Sequence, residues 1–155
     1  MTDKPTPEET ALWQRRLASQ ANNRAWTLAE AGSRTQEEDE EMLQAAHAAM
    51  YFWNIVGNEK HRAHAAQLVA HVYALLNLGR PAAHYLAKSE LVFDSGNAEG
   101  SEAAFAHAIA SNVAAANKDA AAHRLHYGKA FALAASLGAE DRKILEATLR
   151  ILPKP

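Results

Sequence analysis

The run NEKHRAHAAQLVAHVYALLNLGRP, residues 58–81, decides how the chain is read. Leu68, Val69, Val72, Leu75 and Leu76 cover a broad arc at helical spacing, and Ala65, Ala66, Ala70, Tyr73 and Ala74 fill much of the remainder. A helix apolar over most of its girth needs neighbours on several sides. Leu78-Gly79-Arg80-Pro81 then interrupts the pattern. Gly79 suits the left-handed position that closes a helix, and Pro81 suits the first turn of the next, where no N–H donor is required. The run predicts a tight helical hairpin, its first helix over 58–78 and its second setting Ala82, Tyr85, Leu86, Val92 and Phe93 towards a partner.

On the N-terminal side, Thr6-Pro7-Glu8-Glu9 and Thr35-Gln36-Glu37-Glu38 each carry a capping box, the hydroxyl and the carboxylate three residues later satisfying each other's backbone N–H. The first helix repeats Trp13, Leu17, Ala21 and Leu28 until Gly32 stops it. The second, over 36–56, carries Met42, Ala45, Ala46, Ala49, Trp53 and Val56 on one face and ends at Gly57. Asn58 then caps the central helix, a link short enough to force antiparallel neighbours. The acidic run from Glu37 to Glu41 complements the positive end of the helix dipole and reads as solvated charge.

On the C-terminal side, 94–101 is the longest break, read as a joint between helical units. Its two glycines follow a helix and not a strand, which makes a phosphate cradle a poor reading. Three more helices follow, over 102–116, 120–137 and 140–152, presenting Phe105, Ile109 and Val113, then His123, Tyr127, Ala130 and Ala134, then Ile144, Leu145, Thr148 and Leu149. No segment alternates as a strand does. The fold class is therefore all-α, about seven helices in antiparallel hairpins. Residues 1–155 form a single domain with flexible ends at 1–5 and 153–155.

With 16 Lys and Arg against 18 Asp and Glu, the formal charge is -2, and the basic residues are scattered. Without a basic stripe, nucleic-acid binding loses its electrostatic drive. The absence of cysteine excludes disulfides, thiolate metal sites and thiol catalysis, and favours a reducing cytoplasm. Met1-Thr2-Asp3-Lys4-Pro5 has no apolar leader core, and no apolar run approaches the roughly 18 residues of a membrane span. A soluble protein that is not secreted is expected.

A shift of 39 residues lays Ala82-Ala83-His84 over Ala121-Ala122-His123, and Leu86 over Leu125. A two-helix unit that cannot bury both faces alone stacks on the next, the physics of an α-solenoid. Val69, Tyr73, Leu78-Gly79, Ala83 and Ala87, echoed by Ala121, Ala122 and Ala130, resemble the tetratricopeptide-repeat pattern of an aliphatic, an aromatic, a turn glycine and small residues. Trp13, Asn22-Asn23-Arg24-Ala25-Trp26, Ala46-His47-Ala48-Ala49, Trp53 and Gly57 are similar to bacterial tetratricopeptide-like proteins of no assigned activity. The resemblance implies a superhelix of hairpins and brings no activity or cofactor with it.

The eight histidines are the groups that invite chemistry. His64, Gln67 and His71 form one polar stripe on an otherwise apolar helix, which faces solvent, lines a groove or serves a metal or a proton. His123 with His126, and His61 with His64, have the i, i+3 spacing of paired metal ligands but lack a carboxylate companion. Packed, hydrogen-bonded imidazoles explain them better. His47 precedes Tyr51 and Asn54 by one and two turns, a binding-surface pattern, while His84 and His107 read as surface or inter-helix residues. Trp53 reads as core, and Trp26, off the main stripe, as a contact to another helix or a partner.

No catalytic residue, metal ligand set or cofactor motif is predicted. The expected function is a non-enzymatic module binding a protein or peptide, its groove lined by His47, Tyr51, His64, Gln67 and His71. A histidine-based metal protein or enzyme is the alternative. A third reading is a homodimer closed by the alanine-rich helices five and six.

Overall fold

Each of the first three helices begins where a side chain takes up the backbone donors that the first turn leaves open. In α1 (Pro7–Ala29), Glu9 N–H donates to Thr6 Oγ1 at 3.1 Å and Thr6 N–H donates to the Glu9 carboxylate at 2.8 Å. In α2 (Gln36–Val56), Thr35 and Glu38 make the same exchange at 3.2 and 2.9 Å. In α3 (Glu59–Leu75) the pair is Asn58 and His61: His61 N–H donates to Asn58 Oδ1 at 2.9 Å, and its ring Nδ1 accepts from Asn58 N–H at 3.2 Å. The His61 ring also stacks on Trp53, centroids 4.3 Å apart. A Cβ on Gly57 would meet Trp53 O at 2.6 Å and His61 Cβ at 2.7 Å, so only glycine fits this link.

The computed structural model describes residues 3–93, 98 and 100–155. Among them are four further helices, α4 (Gly79–Val92), α5 (Gly100–Ala116), α6 (Ala120–Ala134) and α7 (Ala139–Ile151), and no strand. The protein is all-α. Of the expected break over 94–101, residues 94–97 and 99 lie outside the described residues.

The turn after α3 differs from its expected form. Asn77, not Gly79, takes the left-handed conformation (φ 58°), and Leu78 N–H closes the turn on Tyr73 O at 2.9 Å. Gly79 instead opens α4, and its size answers a close approach. A Cβ there would meet Asn117 Oδ1 at 2.7 Å and Ala116 O at 2.8 Å, where Asn117 Nδ2 donates to Gly79 O. The turn after α5 repeats this geometry with Lys118 (φ 60°) and an Asp119 N–H bond to Ala114 O at 3.0 Å. Asn77 and Lys118 stand 41 positions apart, as do His71 and Asn112, which bond each other. The structural repeat is 41 residues, not the 39 that aligns the alanines.

Each helix packs on the next, and α1, α3, α5 and α7 also pack on one another in a row, whereas no contact of comparable extent joins α2 to α4 or α4 to α6. The odd-numbered row is therefore the tighter one. Apolar burial follows the same sequence of junctions. One cluster joins Ala25, Leu28, Met42, Leu68 and Val72; a second joins Ala70, Ala74, Ala82, Ile109 and Val113; a third joins Ala104, Ala130, Ala134, Leu145 and Leu149. Helix α3 is buried on nearly every side, from Ala63 through Ala74, in keeping with its apolar girth.

Large residues mislead where alanine makes the contact. The packed stripe of α1 is Ala18, Ala25, Leu28 and Ala29, while Trp13 and Leu17 of the expected stripe are exposed. Small side chains let helix axes approach closely, and that approach buries them first. Trp53 is half-buried, flanked by His61 and by the Arg15 guanidinium 5.9 Å from its ring centre. Among the described residues no helix is long and apolar enough to cross a membrane.

Candidate functional site

Four helices of the odd-numbered row each turn residues a helical turn apart towards one cleft of about 410 Å³. Helix α1 brings Asn23 and Trp26 and its C-cap Glu30, α3 brings His64 and Gln67, α5 brings Ser101, Glu102 and Phe105, and α7 brings Asp141 and Ile144. Trp26 and Phe105 meet edge to face at 6.4 Å, which gives the cleft an aromatic wall. On its other side Trp26 lies against the His71 ring at 5.4 Å.

Charge at the rim is mostly negative. Glu102 accepts from Lys60 Nζ at 3.2 Å and lies 3.6 Å from His64 Nε2. Glu30 and Asp141 have no ion-pair partner among the described residues. Glu30 also borders a second hollow of about 600 Å³, lined by Arg34, Asn77, Asn112 and Arg150. The acidic end and the basic end of the odd-numbered row thus adjoin at Glu30.

Two buried polar groups belong to the same region. Gln67 is 3% exposed and its amide nitrogen has no partner among the described residues. His71 is fully buried; Asn112 Nδ2 donates to its Nδ1 at 3.1 Å, which puts the ring proton on Nε2, and that atom has no partner either. Burial, with a smaller contribution from the Arg34 charge, pushes the His71 imidazole down to about 3. It is a neutral ring at physiological pH.

The five residues expected to line a groove fall into three places. His64 and Gln67 line the cleft, and His71 lies beneath its aromatic wall. His47 is behind α3, its Nε2 2.8 Å from the Tyr73 hydroxyl and its ring edge-on to Tyr73 and Tyr85, with burial lowering its pKa. Tyr51 is exposed beside Phe52 on α2. Sequence reasoning missed Glu30, Phe105, Asp141 and Ile144 as cleft residues. The one signal available was Trp26, whose position off the main stripe of α1 marked a second contact.

His84 is exposed beside Tyr85 on its own helix, whereas His107, His123 and His126 tie separate segments together. His123 Nε2 donates to Pro153 O at 2.8 Å, and His126 pairs with His107 across α5 and α6, Nδ1 to Nδ1 at 3.0 Å. Among the described residues no group of three or more histidine, cysteine or carboxylate side chains is placed to hold a metal ion. Comparison with known proteins finds no matching family model, no matching curated protein and no matching solved structure.

Proposed function

We propose that this chain is a non-enzymatic interaction module, a tetratricopeptide-like superhelix of hairpins that holds a peptide segment of another protein against α1, α3, α5 and α7. The observation that carries the reading is the cleft of about 410 Å³, where an aromatic wall shares the lining with the buried Gln67, whose amide nitrogen has no partner among the described residues. Recognition sites pair apolar bulk with a few convergent polar groups, and this cleft has both. The absence of cysteine supports a cytoplasmic setting as part of the same proposal.

A randomised peptide library panned on the purified chain tests the reading. Wild type is expected to enrich a convergent sequence that Phe105→Ala and Ile144→Ser variants of unchanged helicity no longer hold. Failure to enrich any sequence, or enrichment indifferent to both substitutions, overturns it.

A further inference from the structure

We propose that the cleft selects a peptide segment in which an aliphatic or aromatic side chain stands next to lysine or arginine. The apolar side chain packs against Trp26, Phe105 and Ile144, the buried Gln67 amide turns outward to donate to a peptide carbonyl, and the cation meets Glu30 and Asp141. This rests on the interaction-module reading and adds the chemistry of the partner.

Charge supplies the first argument. Among the described residues three carboxylates line the cleft, from Glu30, Glu102 and Asp141, and no lysine or arginine does. Glu102 is held by Lys60 at 3.2 Å and lies 3.6 Å from His64 Nε2. Glu30, which caps α1, and Asp141 on α7 have no ion-pair partner among the described residues. A cation entering the cleft is attracted by both carboxylates, which come from opposite ends of the chain.

Gln67 supplies the second and separate argument. The residue is 3% exposed and lines the cleft, and its amide nitrogen, sealed beneath the surface, has no partner among the described residues. A buried donor without an acceptor costs about 1–3 kcal/mol, which a ligand carbonyl would offset. A simple alkylamine brings only donors and leaves that amide unpaired. A peptide brings the carbonyl, the apolar side chain and the cation on one backbone, and polyanions are repelled by the rim.

The test uses the full ¹⁵N-labelled chain and three acetylated, amidated peptides with central sequences Arg-Leu-Arg, Glu-Leu-Glu and Arg-Ser-Arg. The Arg-Leu-Arg peptide is expected to bind saturably and to shift the Gln67 side-chain amide resonances, and the other two to bind about tenfold more weakly or worse. Joint replacement of two exposed carboxylates, Glu30→Gln with Asp141→Asn, is expected to weaken the Arg-Leu-Arg peptide about tenfold, as is raising NaCl from about 50 to about 500 mM. Equal or tighter binding of Glu-Leu-Glu overturns the proposal, as does a Gln67 shift of the same size and affinity with agmatine alone. If a panned peptide of other composition binds the cleft while Arg-Leu-Arg does not, this inference falls and the interaction module stands. If nothing binds the cleft, both fall.

Discussion

Two groups of aromatic and polar side chains flank α3, and they are finished differently. Behind it, His47, Tyr73 and Tyr85 close on themselves: the imidazole meets the Tyr73 hydroxyl at 2.8 Å, and the two phenol rings stack at 5.7 Å. In front, Trp26, Gln67 and His71 leave an amide nitrogen and an imidazole nitrogen with no partner among the described residues. Native interiors pair nearly all their buried polar groups. The rear cluster therefore reads as a closed fastening, and the front as a buried group beside the cleft that keeps two polar atoms unpaired among the described residues.

The largest expected effect comes from His71. Replacing it with alanine removes a fully buried ring and leaves the Asn112 amide only its long bond to the residue 71 carbonyl, at 3.5 Å, and is expected to cost about 3 kcal/mol in chemical denaturation. A loss under about 1 kcal/mol would mean that the front group is not part of the core.

Acid should weaken the fold next. Because the folded imidazole titrates at about 3 and an unfolded one near 6.5, the unfolded chain takes up the proton first, so stability falls as pH drops through 6.5. Between pH 7 and pH 5 the expected loss is about 2 kcal/mol, and it should largely vanish in His71→Ala. Burial of His47 acts in the same direction. An unchanged slope in His71→Ala would shift the acid sensitivity to other groups.

Tyr73→Phe sharpens the contrast by cutting the rear hydrogen bond, with an expected cost of about 1 kcal/mol in denaturant titration. Gln67→Leu, the smallest effect, should leave stability unchanged or raise it by about 0.5 kcal/mol, because it exchanges an unpaired buried amide for an apolar side chain of similar size. If Gln67→Leu costs as much as Tyr73→Phe, the front and rear do not differ as argued.

The helices were legible in the sequence because their ends are local. Thr6 with Glu9, Thr35 with Glu38, and Asn58 announce three starts within four residues each, and α2 spans the range its pattern implies. What failed was not local. Gly79 reads as a left-handed turn residue, yet its size is set by Asn117, 38 positions on. The face of α1 was misplaced because Ala18 and Ala25 carry the packing while larger residues stay in water. The cleft was half legible: the polar stripe of α3 points at it through His64 and Gln67, but its walls come from α1, α5 and α7. No periodicity within one helix shows which faces of four will meet.

The most direct test follows Trp26 emission in a chain carrying Trp13→Phe and Trp53→Phe, two sites outside the cleft, during titration with a peptide selected on the wild type. The account predicts a saturable change in that emission with the affinity of the parent chain, and its loss with Phe105→Ala. A peptide that binds with full affinity and leaves Trp26 emission unchanged would contradict it.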